Sequence, residues 1–553
     1  MSLVHSISVA EVQVIGPVFR YLQLLLAALA TLQLGSKNYP PQANVFDGQK
    51  FDFIVVGAGS AGCVIASRLS EVGKWNVLLI EYGNDPPIES RIPGLFSFIA
   101  YSNADWNYHT EDDSYSSQAH KTKNIHMTRG KMLGGSSGAN LMLYVRGNKA
   151  DFDTWVSKGA TGWDWNNVTY YFKKSEGNQS PEIMQAGSAE LHNTKGPLKT
   201  TRPLWKNITS KYLKAFSENH KILTDTNGHE QLGYSMPPYT IANKERQSTS
   251  TAFLSPIKER KNLFVLKETL CTKVLIKNHK AIGVEVKLKN NKIISLYATK
   301  EVVLSAGAIN SPQLLMLSGI GPKKHLREKG IKVLLDLPQV GQNLYDHPLV
   351  QFGLTGEKGL KSVRENFDLL TTYDKLPLPI IMGHVSLSND QPFPDYQALA
   401  IPFPAATIMP TIVCNFQFGL DDRICTALAD ACKTQETLIT YIALLHPKSK
   451  GYIELRNKDP ANSPKIFVKY YSDNDDLEKH ARSIEDFIIT LKDTKYFKSI
   501  HSDIIDFKVP QCAQIQFNTH EYWKCYVLNS ATTLWHPVGT CVMGLKGGER
   551  SGF

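Results

Sequence analysis

Four apolar residues at 53–56 (FIVV) run straight into Gly57-Ala-Gly59-Ser60-Ala-Gly62 and then into the helical pattern CVIASRLSEVG. Strand, tight turn and helix in that order leave few architectures open. The first two glycines permit the turn and the close approach of a pyrophosphate, and the third lets helix pack on strand. The helix N-terminus offers free N–H groups and a favourable dipole. A second apolar run, Asn76-Val-Leu-Leu-Ile80, follows the helix, and Glu81 stands 19 residues after Gly62. A carboxylate at that spacing suits the ribose hydroxyls of an adenine dinucleotide. A structural salt bridge is the other reading of Glu81. Residues 301–304 (EVVL) read as another buried strand, leading into GAINSPQLLMLSGIGP. Buried strands alternating with helices predict a parallel α/β sheet.

The segment RGKMLGGSSGAN at 129–140 places Gly134, Gly135, Ser136, Ser137 and Gly138 between Leu133 and Asn140. Without Cβ atoms, the glycines let backbone approach a flat ring, while the hydroxyls and the amide can bond its heteroatoms. By itself it is also an ordinary Gly/Ser turn.

With the second segment, GAINSPQLLMLSGIG, the sequence resembles the glucose-methanol-choline (GMC) oxidoreductases, FAD enzymes that oxidise alcohols. Both family signatures are matched, and RQSTSTAFL, VGQNLYDHP, HPKSKGYIEL and WHPVGTCVMG share the family pattern. The resemblance extends from Asp52 to Gly544, and is nearest to the insect glucose dehydrogenase-like branch. It implies an α/β FAD-binding Rossmann-like domain with a second, α+β substrate domain whose antiparallel sheet is capped by helices. Gly57, Gly59, Ser60 and Gly62 would cradle the pyrophosphate and Glu81 the ribose. Leu133, Gly134 and Ser137, with Asn140, Leu141, Met142 and Leu143, would line the isoalloxazine. Val274 would meet the adenine through its backbone, although by residue type it is an ordinary core valine.

His536 is the expected base. Oxidising an alcohol needs the hydroxyl proton removed as hydride leaves the same carbon, and imidazole titrates in the useful range. Pro537 and Gly539 after it suggest a rigid turn presenting the ring. His347, in YDHP, is read as architectural. The family carries a second catalytic residue, a His or an Asn, beyond the HPxGT motif, and the last residues here, GLKGGERSGF, contain neither. Two readings follow. One is an FAD-dependent alcohol or sugar dehydrogenase or oxidase with quinone or oxygen as acceptor. The other is a truncated, catalytically inactive protein of the same fold.

The domain expectation is a signal peptide or N-terminal anchor at 1–35, a linker at 36–49, an FAD domain at 50–345, a substrate domain at 346–522, and a return to the FAD domain at 523–553. The apolar YLQLLLAALATLQL suits a signal-peptide core, hence secretion, with membrane anchoring as the alternative. Asn167, Asn178 and Asn207 begin N-x-S/T sequons usable on that route. Pairing is expected among Cys425, Cys432, Cys512 and Cys525, with Cys63 a buried free thiol. The eight cysteines show no CxxC and no metal-site spacing. The net charge of +10 is spread along the chain and no nucleic-acid motif accompanies it. TyrIleGluLeuArg at 452–456 is expected as a strand of the substrate-domain sheet, DLEKHARSIEDFIITL as an amphipathic helix, and the proline-rich stretches 376–379 and 392–404 as loops.

Overall fold

Strand β1 (Lys50–Val56) is central in a six-stranded sheet because nearly every residue of FDFIVV is apolar and both its faces are covered. Its parallel neighbours are β2 (Val77–Ile80), followed outward by β3 (Leu263–Leu266), and on the other side β6 (Ile293–Leu304). Two antiparallel strands, β5 (Lys280–Lys287) and β4 (Leu270–Lys277), extend the sheet beyond β6. The computed structural model describes residues 38–203, 205–359, 378–388 and 390–543. The expected signal segment and the C-terminal residues 544–553 lie outside them.

Side chains alternate across the sheet. Phe53, Val55, Val77, Leu79 and Val265 pack with Cys63 and Ala66 of helix α1 (Ser60–Leu69), whereas Ile54, Val56, Leu78 and Ile80 face Leu314 of helix α2 (Gly307–Leu317). Each fully buried Val, Leu or Ile contributes about 1.5–3 kcal/mol. That is enough to hold a four-residue strand such as β2 at the sheet centre. A parallel sheet covered on both faces is the arrangement expected of such uninterrupted apolar strands.

A second sheet is wholly antiparallel. Its order is Thr532–Thr533, β7 (Pro348–Lys358), β10 (Gln435–Leu444), β9 (Tyr396–Phe403), β8 (Ile381–Val385) and Gly233–Ser235. Helix α3 (Asn474–Lys492) packs against β10 and against helix α4 (His520–Ser530). α3 buries Leu477, Ala481, Ile484, Ile488 and Leu491 at helical spacing, and the Asp473 side chain caps its first turn through Asp475 N.

Several expectations change here. Gly233–Ser235, inside the 50–345 segment, belongs to the antiparallel sheet, and so do Thr532–Thr533, beyond residue 523. The chain therefore crosses between the sheets more often than two cuts allow. Residues 396–403 form β9 rather than a loop, since Pro392, Pro394 and Pro404 lie outside the strand and Pro402 stands next to its end, so the middle keeps its ladder donors. Tyr452–Glu454 is a strand, but it pairs only with Lys465–Phe467. The disulfides are Cys414–Cys425 and Cys512–Cys525, leaving Cys432 free and bringing in Cys414; Cys63 is free and buried as expected. Part of 376–379 lies outside the described residues. Among the described residues no helix is long and apolar enough to cross a membrane.

Candidate active site

The two glycine-rich motifs meet. Gly134 N donates to Ala58 O at 2.7 Å, and a Cβ on Gly135 would stand 2.6 Å from the Gly59 Cα. Gly57 and Gly135 have φ of +96° and +50°, the left-handed region that glycine enters without strain. A Cβ on Gly62 would fall 1.9 Å from Gly57 O, so the third glycine serves the turn itself. Gly59 differs, because a Cβ there would meet nothing closer than 4.0 Å. Helix α1 begins at Ser60 with no side-chain cap and no acidic residue in its first turn, leaving its terminal N–H groups for a ligand. Glu81 ends β2 inside this cluster. Its carboxylate accepts from Ala58 N at 2.9 Å and Gly83 N at 2.8 Å. Burial pushes its pKa up to about 7 against those two bonds.

The ring-side residues lie next to this cluster. Leu133 is fully buried and donates to Asn84 O, and Ser137 Oγ donates to Gly134 O at 2.6 Å while accepting from Thr249 N at 3.0 Å. Asn140 Oδ1 accepts from Met142 N at 3.2 Å and from the buried Arg246 Nη1 at 2.6 Å. Asn140, Leu141, Met142 and Leu143 then border a cavity of about 1890 Å³ that is also lined by strands of the antiparallel sheet. Ordinary small-molecule pockets occupy roughly 300–1,000 Å³, so this one has room for a flavin ring and a substrate together. Leu133, Gly134 and Ser137 are not among the residues that line it, whereas Ser136 is. Val274 stands apart on the edge strand β4, its side chain in the core and its N–H committed to Ser318 Oγ at 2.8 Å. Of the two main-chain groups that Val274 could offer adenine, the N–H is thus bound within the protein.

His536 lines the same cavity. The residue before it, Trp535, has φ +58°, an unusual conformation for a bulky side chain. Three contacts hold the bend. Arg129 Nη1 donates to Trp535 O at 2.7 Å, the Trp535 ring stacks on Phe418 at 5.9 Å, and His536 N donates to Asp346 Oδ1 at 2.9 Å. The His536 side chain is exposed to the cavity. Desolvation by the surrounding protein, followed by His347 and the Arg129 cation, lowers its pKa to about 3. The ring is neutral at physiological pH, which is the form a base needs.

His347, expected as architectural, stands beside His536. Its Nδ1 is 3.0 Å from His536 Nδ1, and its ring borders the cavity. Asp346, which the sequence reading passed over, ties the pair together. Its carboxylate accepts from both His347 N and His536 N at 2.9 Å, from Tyr470 OH at 2.6 Å and from Thr533 Oγ1 at 2.5 Å. An acid directly before a His-Pro pair was the available signal. Arg129, read only as the start of the glycine-rich segment, also reaches Ser136 Oγ at 3.0 Å.

Fold and site together define a flavin-dependent oxidoreductase, with a glycine-rich turn on the first sheet suited to a dinucleotide and an imidazole bordering a large cavity. The chain belongs to the GMC oxidoreductases, matching the N-terminal model of that family over residues 51–349 and its C-terminal model over 447–550. It is 34% identical over 541 residues to an ecdysone oxidase of Bombyx mori, covering 93% of this chain and 78% of that protein. To the glucose dehydrogenase [FAD, quinone] of Drosophila melanogaster it is 34% identical over 509 residues, with 90% and 78% covered. In fold it is similar to pyridoxine 4-oxidase from Mesorbium loti, with a TM-score of 0.73, 24% identity, and 90% and 89% of the two chains covered. FAD is the cofactor of this family, and the glycine cradle, the open position at Gly59 and the uncapped helix fit it. The protein is an FAD enzyme acting on CH–OH groups.

Proposed function

We propose that His536 is the base that removes the hydroxyl proton of a small alcohol or sugar, and that His347 fixes the tautomer in which it can do so. The Nδ1–Nδ1 contact carries the argument. One of these nitrogens donates and the other accepts, and the direction decides what His536 presents at Nε2. The arrangement that serves a base is the one in which His347 Nδ1 accepts and His536 Nδ1 donates, because it leaves the lone pair of His536 on Nε2. The alcohol would lose its hydroxyl proton to that nitrogen on its way to a carbonyl compound. FAD, held by the Gly57–Gly62 turn, would supply the two-electron acceptor, and a quinone or oxygen would take those electrons on.

The test is anaerobic bleaching of the flavin absorbance by a panel of alcohols and sugars across pH. Because the His536 pKa is depressed, the neutral form exists above about 3 and is lost only as pH falls through that value. The rate constant at low substrate should therefore stay flat from about pH 5 to 8, where an unshifted histidine would titrate near 6.5. A rise centred near 6.5 would overturn the depressed pKa of the base, and no bleaching by any alcohol would remove His536 from the role.

A secretory location accompanies this reading. The disulfides Cys414–Cys425 and Cys512–Cys525 suit an oxidising compartment. Asn167 is exposed on the helix Trp165–Ser175, whereas Asn178 is buried at 2% exposure and unsuited to a glycan. Asn207 lies outside the described side chains. Protein made in a secretory cell line should lose one glycan's mass at Asn167 on glycosidase treatment and remain unmodified at Asn178; a chain retained unglycosylated in the cytosol would contradict the assignment.

A further inference from the structure

The cavity wall facing His536 is built from two apolar rows. On β9 the alternate residues Leu399, Ile401 and Phe403 all point into the cavity, as the strand's period of two requires. Opposite them, Met409, Ile412 and Phe416 recur at helical spacing through the turns Met409–Ile412 and Val413–Phe418, and they too border the cavity. The Cys414–Cys425 disulfide lies within the second row and ties it to the helix Asp422–Cys432.

Many of the cavity's polar side chains are committed to one another, although Thr226 Oγ1 and Trp535 Nε1 have no partner among the described residues. Gln397 Nε2 bonds His384 Nε2 at 2.9 Å, His446 Nε2 pairs with Asp151 Oδ1 at 2.7 Å, and Asn148 Nδ2 donates to Gln231 Oε1 at 2.9 Å. Gln231 Nε2 in turn donates to Gly147 O at 2.8 Å. A sugar brings several hydroxyls besides the one that reacts, and each loses its water on entry and needs a partner. These rows provide none. An alcohol whose remaining skeleton is hydrocarbon loses nothing polar on entering and removes the rows from water.

The geometry points to a substrate of the apolar alcohol class, a hydroxyl carried on a bulky hydrocarbon skeleton of terpenoid or steroid size, with Leu399, Ile401, Phe403, Met409, Ile412 and Phe416 setting that preference. This rests on the proposed alcohol oxidation at His536 and narrows it. The experiment separates binding from turnover. The FAD-loaded protein is titrated with 5α-androstan-3-one and, separately, with 1,5-gluconolactone, each a carbonyl product that needs no turnover, and the flavin absorbance shift is read. The ketone should bind at least about tenfold more tightly than the lactone. Phe416→Ser, at a position 51% exposed and so compatible with folding, should weaken the ketone about fivefold and leave the lactone unchanged. A lactone that binds as tightly as the ketone, a ketone that does not bind, or a ketone indifferent to Phe416→Ser overturns the inference.

Turnover is then read with 5α-androstan-3β-ol against glucose. Bleaching by the sterol-like alcohol and not by glucose supports the inference, and bleaching by glucose in preference overturns it while leaving the role of His536 intact. Tight, Phe416-dependent ketone binding with no bleaching by any alcohol sustains the apolar pocket and refutes the base assignment.

Discussion

His536→Ala should retain bound flavin and reduce it with alcohols about 10²–10⁴-fold more slowly, the range over which a positioned acid–base group acts. Retention is expected because His536 lies in the turn after the antiparallel sheet, whereas the cradle is built from β1, β2, α1 and the Gly134-Gly135 turn. The main-chain N–H of residue 536 still donates to Asp346 in the alanine variant, so the turn keeps its anchor. The deleted ring leaves a space that opens into the cavity, and added imidazole should recover part of the lost rate. Anaerobic stopped-flow absorbance measures both. An unchanged rate constant would take His536 out of the mechanism, and loss of flavin would show that the turn supports the cradle.

The second large effect is at Gly59. Gly59→Asp should lower FAD affinity by about two orders of magnitude or more, since a like-charge juxtaposition costs several kcal/mol. The apoprotein should lose nothing. Gly59 has φ −76° and ψ −162°, extended backbone open to any residue, and its Cβ position is clear to 4.0 Å. It is also the N-cap of α1, where aspartate is preferred over glycine by a few tenths of a kcal/mol and interacts favourably with the helix dipole. Thermal unfolding of the apoprotein should therefore be unchanged or slightly raised while the purified protein is colourless. Gly62→Ala supplies the contrast, because its Cβ would meet Gly57 O at 1.9 Å and destabilise the apoprotein itself. A yellow Gly59→Asp protein would mean the pyrophosphate does not sit against this turn.

The frame of the flavin domain was legible because its signals are local. Gly57, Gly59 and Gly62 follow a buried strand, Glu81 closes the next one, and both ends of the argument lie within 30 residues of sequence, roughly one βαβ unit. Helix α3 was legible for the same reason, its apolar positions recurring at helical spacing. The antiparallel sheet was less so. Prolines at 392, 394, 402 and 404 mask β9, whose middle residues are apolar on both faces and carry no alternation. In Tyr452–Glu454 the alternation gives the element correctly and says nothing about its partner. Disulfide pairing and the meeting of the histidines are long-range facts. His347 and His536 are 189 residues apart, and only the closing of β7 against Thr532–Thr533 brings them within 3.0 Å.

One carboxylate, Asp346, collects main-chain and hydroxyl groups from the two histidine turns, from Tyr470 and from Thr533, and none of these belongs to the β9 row or the 409–416 stripe. Under the proposed roles, bond-breaking and recognition are thus fastened largely apart, meeting where Phe418, at the end of the stripe's last turn, stacks on Trp535. Residues that choose the substrate can be exchanged without re-aiming the imidazole that deprotonates it. A scaffold wired in this way is open to diversification: a duplicated copy can acquire a new alcohol by altering one wall while inheriting its chemistry intact.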